Sequence, residues 1–175
     1  MTLLPFPDIP PLVCYHNKAF PFGIIQANAV EDITEWMCTK CINLFFNPAS
    51  PNNKFDFAIS DVWGTSEGIT THQYLNVKRE ILERIIPDLV PLFRTFLDQG
   101  CYVNGLYNEK YIPSKWAYGI KDFAHDYLLV GYDDSFFYSV GFVADGRFKH
   151  FKIPIRNFID SLDGSRFNFN FFSYN

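Results

Sequence analysis

Charge is scarce in this chain. Asp, Glu, Lys and Arg make up 19% of its 175 residues, and the net charge is −4. No basic run occurs, so the electrostatic footprint of a nucleic-acid binder is missing. No apolar stretch reaches the roughly 18 residues that a membrane-spanning helix needs, and no membrane association is expected. Met1 to Pro7 carry neither a basic segment nor a continuous apolar core, so a secretory signal is absent from the expectation and a cytoplasmic location takes its place. Cysteines number only four, and in a reducing compartment they are expected to stay thiols. Cys38 and Cys41 form a C-x2-C pair, but a tetrahedral zinc site needs four ligands and no second pair exists. No βαβ pattern surrounds the pair to suggest a redox dithiol. No metal and no cofactor are therefore expected.

Aromatic residues are what the chain has in abundance. They account for 19% of it, with 20 Phe and 10 Tyr. Aromatic side chains suit the pleated, half-buried surface of a sheet, so strands around a Phe-rich core are expected. The length matches one domain, residues 1–175.

Four prolines in residues 1–13 (Pro5, Pro7, Pro10, Pro11) rule out a helix there and predict an extended segment. A helix can begin near Cys14. Apolar residues from Ile24 to Cys41 recur at roughly helical spacing, with a break near residue 22 expected from Pro21 and Gly23. Short β-leaning runs, Cys41–Phe46 and Phe55–Ile59, flank a turn at 47–53. The clearest helical stripe runs from Thr70 to Ile86. Asp88 is placed to cap a following helix that ends at Gly100. Beyond it the pattern turns to strands: Cys101–Tyr107, Asp126–Tyr132, Phe136–Val143, Arg147–Ile153 and Arg166–Tyr174, with a short helix at Ile155–Leu162. Helices first and an antiparallel sheet second predict an α+β fold. The aromatic strand Phe167, Phe169, Phe171 offers an edge on which a dimer could pair, and the oligomeric state is otherwise open.

The stretch Ala124 to Asp134 carries the chemistry. His125 stands before an apolar run that ends in Gly131-Tyr132-Asp133-Asp134, and a second run, Phe136 to Val143, leads to Asp145-Gly146. Far upstream lies Cys14. A thiolate is the reactive form of cysteine, and a helix N-terminus or a nearby imidazolium favours it. His125, fixed at the start of a strand, can take the thiol proton and return it to a leaving group. Asp145, brought back by the hairpin, can hold the ring in one tautomer, although Asp-Gly is also an ordinary turn pair. Asp126 should face the other side of the sheet. His16 competes with His125 as a base and Cys101 with Cys14 as nucleophile. His72 and His150 look like surface residues. The backbone N–H of Cys14 and the side chain of Asn17 are candidates for the oxyanion donors that acyl transfer requires.

In these residues the chain resembles the papain-like domains of antibiotic-biosynthesis clusters, the type represented by the N-terminal domain of the butirosin biosynthesis acyltransferase. More distantly it is similar to the double-glycine leader peptidases of bacteriocin exporters. Cys14-Tyr15-His16-Asn17, Gly100-Cys101-Tyr102-Val103, Tyr111-Ile112-Pro113, His125 to Asp133 and Asp145 to Phe148 carry the likeness, which spans about residues 12–162. It implies a papain-like fold, N-terminal helices packed on a C-terminal antiparallel sheet, with Cys14 as nucleophile, His125 as base and Asp145 as orienting acid. It implies acyl transfer in nonribosomal-peptide or related biosynthesis: an acyl group passes from an acyl or peptidyl carrier protein to Cys14, then to an amine, a peptide or water. A cysteine peptidase or amidase, or a non-catalytic papain-like binding module, are the alternatives. The segment before Cys14 lacks the Gln that papain-like peptidases use at the oxyanion, which counts against the peptidase.

Overall fold

The turn at Asp133 shows how locally the central hairpin is specified. Its carboxylate accepts the N–H groups of Ser135 and Phe136, both at 2.7 Å, and its own N–H reaches the Phe136 carbonyl. An Asp side chain that closes such a loop fixes the register of the flanking strands, and Tyr132 pairs with Phe137 directly beyond it. The computed structural model describes residues 1–13, 16–29, 32, 34–35, 43–46, 48–49, 55–58, 72–162 and 168–174.

The elements in chain order are β1 (Thr2–Leu3), α1 (His16–Asn28), β2 (Asn43–Phe46), β3 (Phe55–Ala58), β4 (His72–Val77), α2 (Arg79–Ile85), α3 (Leu89–Asp98), β5 (Cys101–Asn108), a 3-10 turn (Glu109–Tyr111), β6 (Ala124–Tyr132), β7 (Phe136–Phe142), β8 (Phe148–Pro154), α4 (Ile155–Ser161) and β9 (Phe169–Tyr174). The main sheet has seven strands in the order β4-β9-β5-β6-β7-β8, with β1 paired to β6. Every pairing in it is antiparallel. Strands β2 and β3 form a separate two-stranded sheet. The expected α+β class with an antiparallel sheet is what the structure shows. No described helix is long and apolar enough to cross a membrane.

Helix α1 differs from its expectation. It begins at His16 and runs through Pro21 without stopping. Proline removes one helical donor and crowds the preceding turn, a cost that burial must offset. Ala19 to Ile25 are buried on every side, so this helix is inserted rather than amphipathic, and its apolar residues need no single stripe. Most of 30–42, where the expected helix continued, lies outside the described residues, as do Cys38, Cys41 and most of the turn at 47–53.

The stripe read at Thr70–Ile86 also divides. Residues 72–77 are strand β4, laid along β9 from His72↔Tyr174 to Val77↔Phe169, and only 79–85 are helical. Pairing with an aromatic strand overrides the weak helical preference of this segment. Strand β9 in turn lies between β4 and β5, with both edges taken. A second copy has no edge of β9 to pair with.

Helix α3 matches its signals. The Asp88 carboxylate accepts the Val90 N–H at 3.0 Å, and Gly100 adopts φ +76 just past the end, as a helix cap and stop require. Leu89, Val90, Phe93 and Leu97 of α3 pack with Phe158 of α4 against Tyr107, Tyr127, Phe137, Phe169 and Phe171 of the sheet. The other face carries α1, with Phe20 and Ile24 on Tyr102, Leu128, Val130, Val140 and Phe172. Odd positions of β6 thus face α3 and even positions face α1, until the register shifts between Leu129 and Gly131. Beyond this bulge Tyr132 joins the α3 side. At Gly131 a Cβ would stand 2.4 Å from the Thr2 carbonyl oxygen, so only glycine lets β1 lie there.

Candidate active site

The first residues of β6 place two side chains on opposite faces of the sheet. His125 faces the α3–α4 side and Asp126 faces α1, as strand alternation demands. Each meets a different partner.

On the first side, Asn108 ends β5 and organises the loop that follows. Its Oδ1 accepts the N–H groups of Lys110 and Phe123, both at 3.2 Å, and its Nδ2 donates to Asp122 at 2.9 Å. The Glu109 N–H donates to the Phe123 carbonyl at 2.8 Å. These bonds hold Glu109 next to the start of β6, with its carboxylate 3.0 Å from His125 Nδ1. The Tyr127 hydroxyl donates to the same oxygen, Glu109 Oε1. Glu109 is 1% exposed. Burial opposes its ionisation, but the bonds from His125 and Tyr127, with the charges of His125 and Lys115, outweigh it and hold the carboxyl below its usual range. Burial and the Glu109 carboxylate both push the Tyr127 hydroxyl far up, so it stays a donor. His125 Nδ1 donates to the ionised Glu109, so Nε2 is the nitrogen left to exchange a proton. That nitrogen belongs to a part-exposed ring.

On the second side, His16 opens α1. Its Nδ1 lies 2.8 Å from Asp126 Oδ1, and its Nε2 accepts the Phe142 N–H at 3.0 Å. An N–H pointed at Nε2 requires the lone pair there, so the proton sits on Nδ1 and is donated to Asp126. The ring stacks on Phe20 at 4.9 Å and lies 4.7 Å from the His125 ring. Burial lowers the His16 pKa against the opposing effect of Asp126, which keeps this imidazole neutral. Burial raises the Asp126 pKa, yet the His16 bond and the two imidazoles more than reverse it and the carboxyl is held down. His125 Nε2 is 3.8 Å from the same Asp126 oxygen, so one carboxylate oxygen lies beside both rings.

Lys115 closes the cluster from behind. Its Nζ lies 3.7 Å from the centre of the Tyr127 ring and 4.1 Å from that of Phe151, and it donates to the Phe142 carbonyl. Burial pushes its pKa down to about 7, against the pull of Glu109 and Asp126. The Phe142 backbone is therefore held on both sides of its Cα, by His16 through its N–H and by Lys115 through its carbonyl.

His16, His125 and Asp126 have the donor types of a metal site, with their ligand atoms within 4.8 Å of one another. The hydrogen bonds argue against that use. A metal on His16 Nδ1 would displace the proton that Asp126 receives while Nε2 still faced the Phe142 N–H, leaving an imidazolate. The donors are committed to each other.

Of the expected triad, the structure brings His125 to the site. Cys14 lies outside the described residues, as does the side chain of Asn17. Asp145 is elsewhere engaged. Its carboxylate takes the Arg147 N–H at 3.0 Å and the Lys149 ammonium at 2.6 Å in the exposed turn between β7 and β8. β7 ends at Phe142, so the chain has already passed the histidine when it reaches Asp145, and the Asp-Gly turn pair is what these residues form. The carboxylate on His125 is that of Glu109, which sequence reading missed. Its signal is weak: an acid next to a strand end in a polar Asn-Glu-Lys segment looks like a solvated loop. Cys101 is half-buried at the start of β5 with its thiol pKa raised by burial, the reverse of an activated cysteine. His150 is a surface side chain, near the Pro7 carbonyl at 3.2 Å.

No protein-family model matches this chain, and no curated protein or solved structure matches it either.

Proposed function

We propose that the chain is a cysteine acyltransferase or thioesterase of papain-like design, in which Glu109 takes the orienting role expected of Asp145. The observation that carries this reading is the Glu109–His125 pair: a buried, ionised carboxylate holds Nδ1 and leaves Nε2, 3.8 Å from Asp126 Oδ1, at a part-exposed position. This is the arrangement of a general base oriented by an acid. Cys14 precedes His16 by two residues in the sequence, and the His16 ring is the one that meets His125. A buried helix that opens just after Cys14 and rests on an antiparallel sheet, with the base at the start of a strand, supports the papain-like reading.

In the proposed reaction the Cys14 thiol gives its proton to His125 Nε2. The thiolate attacks the carbonyl carbon of a thioester, whose C–S bond then breaks. The departing thiol recovers the proton from His125. An amine or water next attacks the acyl-Cys14 bond and loses its proton to His125, which returns it to the Cys14 sulfur. Glu109 stabilises the imidazolium in both halves. Thioester exchange between two thiols is nearly balanced in energy, which suits a carrier-protein donor. The sequence resemblance points to an acyl or peptidyl carrier protein as that donor, in a cytoplasmic biosynthetic pathway.

The test is alkylation by iodoacetamide from pH 5 to 9, with each cysteine followed by peptide mass spectrometry. Fast reaction of Cys14 alone near pH 6, lost in His125→Ala, establishes the thiolate–imidazolium pair. A Cys14 that titrates like a free thiol, with a pKa of about 8.5, removes the catalytic reading and leaves a binding module.

A further inference from the structure

Next to His16, whose ring meets those of Phe142 at 4.9 Å and Phe148 at 6.2 Å, runs a groove of about 690 Å³. Its apolar lining comes from Ile9, Val13, Phe142 and Phe148. Two features tie it to the site. Phe142 lines the groove with its side chain while its peptide N–H holds His16. Val13 stands directly before Cys14 in the sequence. Ile9 and Val13 are both exposed, the former at 71%, so the apolar lining is accessible to a ligand.

From this we infer that the groove binds the acyl part of the donor, and that the acyl group is a neutral apolar chain rather than an aminoacyl one. The inference rests on the acyl-transfer reading above. Its second leg is charge. Arg147 and Lys149 stand on the groove. The carboxylate nearest them, Asp145, is committed to Lys149. Asp8, the acid that lines the groove, is fully exposed and turned toward His150 at 3.9 Å. Among the described residues, an ammonium on the acyl chain would find two cations and no buried carboxylate to receive it, and desolvating an unpaired charge is unfavourable. A methylene chain would cover Phe142, Phe148, Ile9 and Val13, and the volume falls within the range of small-molecule sites.

Three probes test this: acetyl, decanoyl and β-alanyl thioesters of N-acetylcysteamine. Their equilibrium binding to Cys14→Ala is measured by calorimetry, alone and with Ile9→Asp added. A fully buried methylene is worth about fourfold in affinity, so a decanoyl chain only partly covered gains at least about tenfold over acetyl. The β-alanyl ester binds no tighter than acetyl. Ile9→Asp, which places a carboxylate in the apolar lining of a part-exposed segment, brings the decanoyl-to-acetyl ratio close to unity. Equal binding of decanoyl and acetyl, preference for β-alanyl, or an unchanged ratio in Ile9→Asp overturns the inference. Acylation of Cys14 in the wild-type chain, read by mass spectrometry with the same esters, judges the acyl-transfer reading separately. Absence of any adduct sinks that reading, while the binding series on Cys14→Ala still decides what the groove accepts.

Discussion

The ring of His16 lies in the space that a side chain on Gly141 would occupy. A Cβ there would come within 3.2 Å of His16 Nε2 and 3.2 Å of the Tyr127 ring. Both rings belong to the cluster, and neither can retreat without loosening a bond, to the Phe142 N–H or to Glu109. Gly141→Ala is therefore expected to destabilise the protein by about 1–3 kcal/mol, as overpacking of a filled site does. Urea unfolding measures it. A variant as stable as wild type would show that the rings have room.

The carboxylate that matters to His125 is separable from the one the sequence suggested. Glu109→Gln keeps an oxygen for the His125 N–H and the Tyr127 hydroxyl but removes the charge that favours imidazolium. Alkylation of Cys14 at pH 6 is expected to slow about tenfold or more in this variant, the effect of losing a charge partner in a buried site. Asp145→Asn, whose carboxylate serves the turn at Lys149, is expected to leave the rate unchanged. The opposite pattern would restore Asp145 as the orienting acid.

Lys115 makes stability depend on pH in the alkaline range. Its folded pKa of about 7 lies below its ordinary 10.5. Between these values the unfolded chain holds a proton that the folded chain has released, so folding gains as pH rises through the window. Relative to Lys115→Met, which cannot titrate, wild type is expected to gain up to about 4 kcal/mol from pH 7 to pH 10, at 1.36 kcal/mol per pKa unit. Parallel urea titrations at each pH give the difference. A flat difference would mean that Lys115 keeps its proton in the fold.

His16 acts in the same sense on the acid side. Its folded pKa lies below 6.5, so as pH falls from 6.5 the unfolded chain binds a proton first and the folded state loses ground. The loss is at most about 1.4 kcal/mol per pH unit. In His16→Gln this limb is expected to vanish, while the drop below about pH 4.5 that Glu109 produces remains, because its pKa is depressed by partners other than His16. Thermal melts from about pH 2 to 7 resolve the two limbs. A limb that survives in His16→Gln assigns it to another group.

Much of the sheet was legible because its signals are local. The Asp133 turn, the Asp88 cap, the Gly100 stop and the alternation of β5 through β8 each follow from a few adjacent residues. What was not legible depends on partners far away in the chain. His72–Val77 becomes a strand because β9 is there to receive it. Helix α1 tolerates Pro21 because the fold encloses it on all sides. His125 could be read as a base at the start of β6, since strand and histidine are neighbours in sequence. Glu109 could not, and His16 only as a rival to His125, because each reaches the site only after β5 and α1 are laid against β6. Strand alternation set Asp126 apart from His125, yet its carboxylate lies 3.8 Å from His125 Nε2, and nothing in the alternation reveals that His16 waits there.

The pairing of β1 with β6 joins Thr2 to Tyr132 and Leu3 to Gly131, and the Leu4 N–H reaches the Val130 carbonyl. On the ribosome, residues 2–4 therefore have no partner until β6 has been made. Contacts this distant slow folding, since a large loop must close before they form. The His16–Asp126 pair carries the same delay. Assembly of the cluster is thus a late event, and a nascent chain cut short of β6 holds none of the chemistry, however much of its helix has formed.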